Sequence, residues 1–343
     1  MMMTSKEATA VDVLRLLKAK DGGLVSGQAV SEALKISRTA VWKQVARLKE
    51  MGFSITSSRA RGYTLESFDA PFNAVEVLSE LTTDFVGSDI YFYDELASTN
   101  ITAGELAIQG AREGTIVIAD AQSKGKGRLG RHWVSPPAEN LYTSIILRPK
   151  ISPVKAPSLT LVFAVAAAEA IQSFVSQTPV VKWPNDILLD SMKVSGILME
   201  MSADIDRVNH VICGIGVNIN SAPKLSGGTG GTGGTGTGRP GPGGLKATSL
   251  RASSGANVNR AAFARELYSS VEKWYKVILK EGFGPAIEAW RGYFIAEGKA
   301  VSIDAIDRSV EGICMGIDET GALLVREGSG KVSTITSGDM ALS

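Results

Sequence analysis

Gln122-Ser-Lys-Gly-Lys-Gly-Arg-Leu-Gly-Arg-His-Trp133 lies between two apolar runs, Thr115-Ile-Val-Ile-Ala119 and Leu141-Tyr-Thr-Ser-Ile-Ile-Leu147. Both runs are short and rich in β-branched residues, so the segment reads as strand, basic loop, strand. The loop carries three glycines and four fixed cations, Lys124, Lys126, Arg128 and Arg131. Glycine lets the backbone take positive φ and approach a ligand closely. Four like charges repel one another, which predicts a clamp for a phosphate or carboxylate, disordered when empty and closed over its anion. A solvated basic hairpin is the alternative, since glycine-rich loops mislead on their own. No Lys-Ser or Lys-Thr follows a Gly-x4-Gly frame, so the loop is not a P-loop.

The residues around the loop read as an α/β core. Pro71 to Leu81 predicts a helix and Asp89 to Tyr93 a strand. Ser98-Thr-Asn100 opens a helix through Gln109, where Ser98 or Thr99 serves equally as an ordinary cap. Leu159 to Phe174 is apolar over most of its circumference and predicts a buried helix. Val180-Val-Lys-Trp-Pro-Asn-Asp-Ile-Leu-Leu-Asp190 predicts a strand delivering Lys182 and Trp183, ended by Pro184, with Asn185 and Asp186 at a turn. Asp186 reads as turn chemistry or as a ligand of Mg²⁺, which favours carboxylates and substrate phosphates. Lys193 follows at the start of a strand. In His210-Val-Ile-Cys-Gly-Ile-Gly-Val-Asn-Ile-Asn220 the glycines leave room for a flat ligand, and Asn218 offers the donor and acceptor that a purine needs.

Residues 1–67 form a separate unit. Ala10, Leu14 and Leu17 recur at helical spacing, a short second helix spans Ser26 to Leu34, and a third spans Arg38 to Glu50 behind the cap Ser37. Two β segments flank Ser57-Ser-Arg-Ala-Arg-Gly62. The order predicts a winged helix-turn-helix. Over residues 1–66 eleven Lys and Arg face six Asp and Glu, although the whole chain carries only +1. Ser37, Arg38, Thr39, Lys43 and Arg47 on the third helix, with Arg59 and Arg61 on the wing, have the distribution that DNA reading requires. A winged helix used for protein contacts is the alternative.

Ser226 to Gly244 is almost wholly Gly and Thr and predicts a flexible insertion. Arg260 to Leu279 and Phe283 to Phe294 read as helices, and from Lys299 onward period-2 alternation with Gly turns predicts a small β-barrel. No unbroken run of about 18 apolar residues occurs, which argues against a membrane span. Cys213 and Cys314 stand far apart without neighbouring His, which argues against a disulfide framework or zinc site and fits a reducing cytoplasm.

Ser98-Thr-Asn100, Gly125-Lys-Gly-Arg-Leu-Gly-Arg-His-Trp133, Lys182-Trp-Pro-Asn-Asp186, Lys193-Val-Ser-Gly-Ile-Leu198 and Gly214-Ile-Gly-Val-Asn218 occur in an order that resembles the biotin protein ligases, bifunctional subgroup. The resemblance covers nearly the whole chain. It implies an α+β multidomain fold: a winged helix (1–67), a mixed α/β class II synthetase-like catalytic domain (68–297) and an SH3-like β-barrel (298–343). It implies activation of biotin by Mg-ATP to biotinyl-5′-AMP, transfer to a lysine of a carboxylase's biotin-acceptor domain, and repression from operator DNA as an adenylate-bound homodimer, with no membrane. By the same resemblance Ser98, Thr99, Asn100 and Gln122 shape the biotin ring pocket. Lys126, Gly127 and Arg128 line the biotin carboxylate and adenylate phosphate, and Lys193 stabilises charge at the reacting centre. Arg131, Trp133, Asn185, Asp186 and Asn218 serve the ATP side. Two positions depart from the family, Lys126 and Leu129, each where Arg is usual; Lys keeps the charge but loses the bidentate fork. A lipoate-type ligase and a DNA-binding sensor without ligase activity are the competing readings.

Overall fold

The computed structural model describes residues 5–58, 61–66, 70–223, 246–305 and 308–342. The wing position Arg59 and the Gly/Thr insertion lie outside the described residues. Helices α1 (Ser5–Lys18), α2 (Gly27–Leu34) and α3 (Arg38–Glu50) precede a hairpin of β1 (Ile55–Ser58) and β2 (Gly62–Leu65). Local chemistry sets these boundaries. The side chains of Ser26 and Ser37 accept from Ala29 N and Ala40 N, capping α2 and α3. Val41, Val45 and Leu48 recur at i, i+4, i+7 and are buried against Leu14 and Leu17.

The expected helix over Pro71 to Leu81 is shorter than its apolar pattern suggests. It runs only as α4 (Ala74–Ser79), because Asn73 takes extended backbone and caps Glu76 N. Helix α4 is a wedge: Val75 and Leu78 pack into the N-terminal core, while Val77 packs into the central one.

The central sheet orders its strands β3-β4-β5-β9-β8-β7-β6. These are β3 (Ile90–Leu96), β4 (Ile116–Gln122), β5 (Leu141–Leu147), β6 (Val180–Lys182), β7 (Asp186–Leu189), β8 (Met192–Ala203) and β9 (Val208–Val217). Among the described strands of this sheet β3 and β4 pair in parallel and the other neighbours antiparallel, and the crossover helix α5 (Thr99–Ile108) joins the parallel pair. Period 2 splits the strand residues between two faces. Ile116, Ile118, Ile145 and Cys213 face the main core beneath α6 (Leu159–Gln172). Val117, Ile146 and Ile212 face α5, as do Tyr142 and Ser144 by alternation. Pro153–Gln172 is long and apolar enough to cross a membrane by length and composition, but most of it is buried in the core. Its second part is α6, the helix expected to be buried from Leu159 to Phe174.

Helices α7 (Leu250–Ser254), α8 (Arg260–Glu281) and α9 (Gly284–Tyr293) follow, and α8 and α9 pack on α6. The C-terminal unit is β-rich, as the alternation predicts: β10 (Ala300–Asp304), β11 (Ser309–Ile317), β12 (Leu323–Arg326), β13 (Val332–Ile335) and β14 (Asp339–Leu342) form an antiparallel sheet in the order β13-β12-β11-β10-β14. The indole Nε1 of Trp183 donates to Gly321 O (3.0 Å), tying this unit to the central sheet.

Candidate active site and DNA-facing surface

The α5 face of the sheet carries a pocket where the dispersed motifs meet. It is lined by Ser98, Thr99, Asn100, Gln122, Lys126, Gly127, Arg128, Arg131, Trp133, Asn185, Asp186 and Lys193, which are all but one of the residues expected for biotin and ATP. The exception is Asn218. It is 2% exposed, donates through Nδ2 to Thr248 O (3.1 Å), and its Oδ1 is buried without a partner. Its backbone is also pinned, N to Val194 O at 2.9 Å. It supports the floor behind the pocket and does not line it, because a donor–acceptor inventory cannot say which way a side chain faces.

The polar end is built at the start of α5. Ser98 sits at the N-cap position but makes no side-chain capping bond, so the cap reading fails. The oxygen of the Gln122 side chain instead accepts from Thr99 N at 2.8 Å, while its nitrogen donates to Ser135 Oγ at 3.0 Å.

Glycines on β8 and β9 open space above the sheet, but residues of this chain fill part of it. A Cβ on Gly216 would meet the Trp133 ring at 2.6 Å, and one on Gly214 would meet Asn100 Oδ1 at 2.0 Å. The flat group over Gly216 is thus the indole of Trp133, a correction to the expectation of open room there. Its Nε1 is buried without a partner. Lys193 Nζ stands 5.3 Å from the centre of the same ring and 2.6 Å from Asp186 Oδ1.

The basic loop turns at Arg128–Gly130, and Lys126 bridges to His132 across its base. Its arginines have protein partners that local charge counting could not reveal. Arg128 donates to Asn185 Oδ1 (3.1 Å) and to Ser337 Oγ (3.0 Å), and Arg131 forms a two-pronged ion pair with Asp339. Strand β14, which the alternation did not single out, delivers Asp339 to the pocket. Burial pushes the Arg128 guanidinium down, opposed by Asp339 and Asp186. Burial likewise lowers Lys182, with Asp186 opposing. The hydrogen bond that Arg131 donates to Asp339 raises its guanidinium, which stays a full cation. Leu129 takes φ +55 at the loop tip, left-handed backbone that costs a non-glycine residue about 1 kcal/mol.

Magnesium fits as an ion carried by substrate. Among the described residues no group of three or more His, Cys, Asp or Glu is placed to hold a metal. Mg²⁺ needs only one or two carboxylates when phosphates supply the other ligands. Asp186 and Asp339 both line the pocket.

On the N-terminal unit, Arg38, Thr39, Lys43 and Arg61 are exposed, and Arg47 is half-buried. Ser37, also exposed, caps α3 by accepting from Ala40 N (3.1 Å), which leaves its hydroxyl hydrogen to donate. Lys49 Nζ donates to Ser57 Oγ (3.0 Å), tying the wing to α3. Trp42 is 60% exposed on the same helix, although a helical pattern of charged and polar residues gives no sign of it.

Profiles of known families match three parts of the chain. The Biotin/lipoate A/B protein ligase family matches residues 94–218, an HTH domain matches residues 10–64, and the biotin protein ligase C terminal domain matches residues 296–343. The chain is 36% identical to the bifunctional ligase/repressor BirA of Bacillus subtilis over 96% of its own length and 98% of that protein's. With the protein of the same name from Escherichia coli it shares 27% identity over 94% of each chain. Among solved structures it is similar to the biotin protein ligase from Aquifex aeolicus in complex with biotin and ATP, at 26% identity and a TM-score of 0.59, covering 74% of this chain and 98% of that one.

Proposed function

The chain belongs to the biotin protein ligase family, and from that premise we propose that it activates biotin with ATP and transfers the biotinyl group to a lysine of a biotin-acceptor domain. The observation that carries this is the meeting, in one pocket, of the Ser98–Thr99–Gln122 polar end with the cations Lys126, Arg128, Arg131 and Lys193.

The chemistry follows from that arrangement. In the first step a biotin carboxylate oxygen bonds to the α-phosphorus of ATP. The bond from that phosphorus to the β-phosphate bridging oxygen breaks, and pyrophosphate leaves. In the second step a lysine amine attacks the acyl carbon, AMP departs, and the amine proton passes to solvent. Both steps build negative charge on phosphate oxygens, which fixed cations stabilise without reorganising. Lys193 is aimed by Asp186, and Arg128 by Asn185 and Ser337. A magnesium ion entering with ATP would neutralise phosphate charge, with Asp186 as the nearest carboxylate to Lys193. No side chain need act as nucleophile, because both nucleophiles belong to substrates.

The winged helix extends the reading to repression. The exposed cations of α3 and the wing would contact operator DNA, and the adenylate-bound chain would act there as a homodimer. The acceptor is a carboxylase subunit. The buried thiols of Cys213 and Cys314 and the use of ATP and DNA support a cytoplasmic setting.

The test is ATP- and biotin-dependent labelling of a biotin-acceptor domain. Wild type should label it, and Lys193→Ala should lose about a hundredfold or more of the rate. Protection by lipoate in place of biotin would assign the lipoate-type activity. No labelling, with ligand-dependent DNA binding intact, would leave only a sensor.

A further inference from the structure

Asn100 looks like a ligand-binding amide, but the structure shows where its hydrogen-bonding capacity goes. Its Nδ2 donates to Glu200 Oε2 at 2.8 Å and to Leu198 O at 3.3 Å, which uses both hydrogens. That fixes Oδ1 as the end facing the buried hydroxyl of Ser144, 2.6 Å away. A carbonyl oxygen can only accept, so the single Ser144 hydrogen goes to Asn100. Ser144 Oγ also lies 2.8 Å from Thr99 Oγ1. With its own hydrogen committed, Ser144 can only accept there, so the Thr99 hydroxyl donates inward, to Ser144 or to Gln122 Oε1 at 3.3 Å. Either choice leaves Thr99 Oγ1 presenting lone pairs to the pocket.

We propose that Ser144, Asn100 and Glu200 form a positioning relay that sets Thr99 Oγ1 as a hydrogen-bond acceptor, matched to a ring N–H of the substrate. None of the three need touch the ligand. The relay rests on the reading of the pocket as a biotin site and deepens it. The cyclic urea of biotin offers N–H groups, whereas an acid whose ring lacks N–H leaves Thr99 unpaired. An unpaired buried polar group is the strongest basis for rejecting an analogue. The relay also explains Gly214, where any Cβ would displace Asn100 Oδ1.

The test is steady-state kinetics of the full-length chain, with biotin and ATP varied separately. Ser144→Ala should raise the KM for biotin about tenfold while kcat and the KM for ATP stay within about twofold, the signature of lost uniform binding. Glu200→Ala, at an exposed position where folding is not at stake, should move the same constant in the same direction. Glu200→Gln, which retains an acceptor oxygen, should restore it. Because the relay acts as a unit, Asn100→Ala/Ser144→Ala should be no worse than Asn100→Ala alone. An unchanged biotin KM in Ser144→Ala or Glu200→Ala would overturn the relay. So would equal effects on both substrates, or additive single and double variants, which would make Asn100 a direct contact. Failure of the wild type to bind or activate biotin would instead overturn the assigned function, and the relay with it.

Discussion

At the residue scale the site depends on cations held by specific partners. Arg131 keeps its place over the pocket through Asp339, a pair that is only partly buried. Pairs of that exposure contribute little to stability but can direct a side chain. Asp339→Ala should therefore raise the KM for ATP about two- to fivefold with little change in melting temperature, and Asp339→Glu should recover part of the loss. Lys126 is exposed and presents one ammonium where the family's usual residue has a guanidinium fork. Lys126→Arg restores bidentate contact and should slow release of biotinyl-AMP roughly tenfold in a rapid-dilution assay. The cations themselves were legible in the sequence because charge is a property of residue type. Their partners were not: Asp339 and Ser337 lie some two hundred residues away and join the site only through the docking of β14.

At the element scale, elements defined by local signals came out as expected, and those defined by tertiary contacts did not. Helix α3 and strand β5 match their expected spans, since one has a serine cap and three apolar residues at helical spacing, and the other a short, largely apolar run with Thr143, Ile145 and Ile146. Helix α4 does not, because Asn73 and its wedging between two cores shorten it. Another element is held from afar: Glu272 on α8 accepts from the backbone N of Asp84, Phe85 and Val86 at 2.8 to 2.9 Å, anchoring the turn before β3. Burial raises its carboxyl, but those N–H groups and Lys276 outweigh it and hold it below the ordinary value. A depressed folded value means that the stability is present above the unfolded pKa and is lost as pH falls through the folded one. Glu272→Gln should cost about 1–3 kcal/mol at pH 7 in urea unfolding. The gap to wild type should close as pH drops below about 4.

At the scale of the whole molecule, one chain joins a DNA-facing head to an acyl-transfer site. Helix α4 and its ion pairs make the joint: the buried Glu76 takes Lys18 from α1 at 2.6 Å and Arg265 from α8 at 3.2 Å. Arg38→Ala and Lys43→Ala should each reduce the slope of log affinity against log salt by about 0.9, leaving acceptor labelling unchanged. Residue types, their spacing and their local charge were enough for the winged helix, the basic clamp, the buried apolar helix and the family motifs, because caps, periodicity and charge act over a few residues. Asn100's commitment to Ser144 and Glu200, the indole over Gly216, the withdrawal of Asn218 from the pocket and the hold of β14 on the clamp arginines came only with the folded chain. Which face a side chain takes, and which distant residue meets it, depends on sheet register and domain docking, and neither is a property of neighbouring residues along the chain.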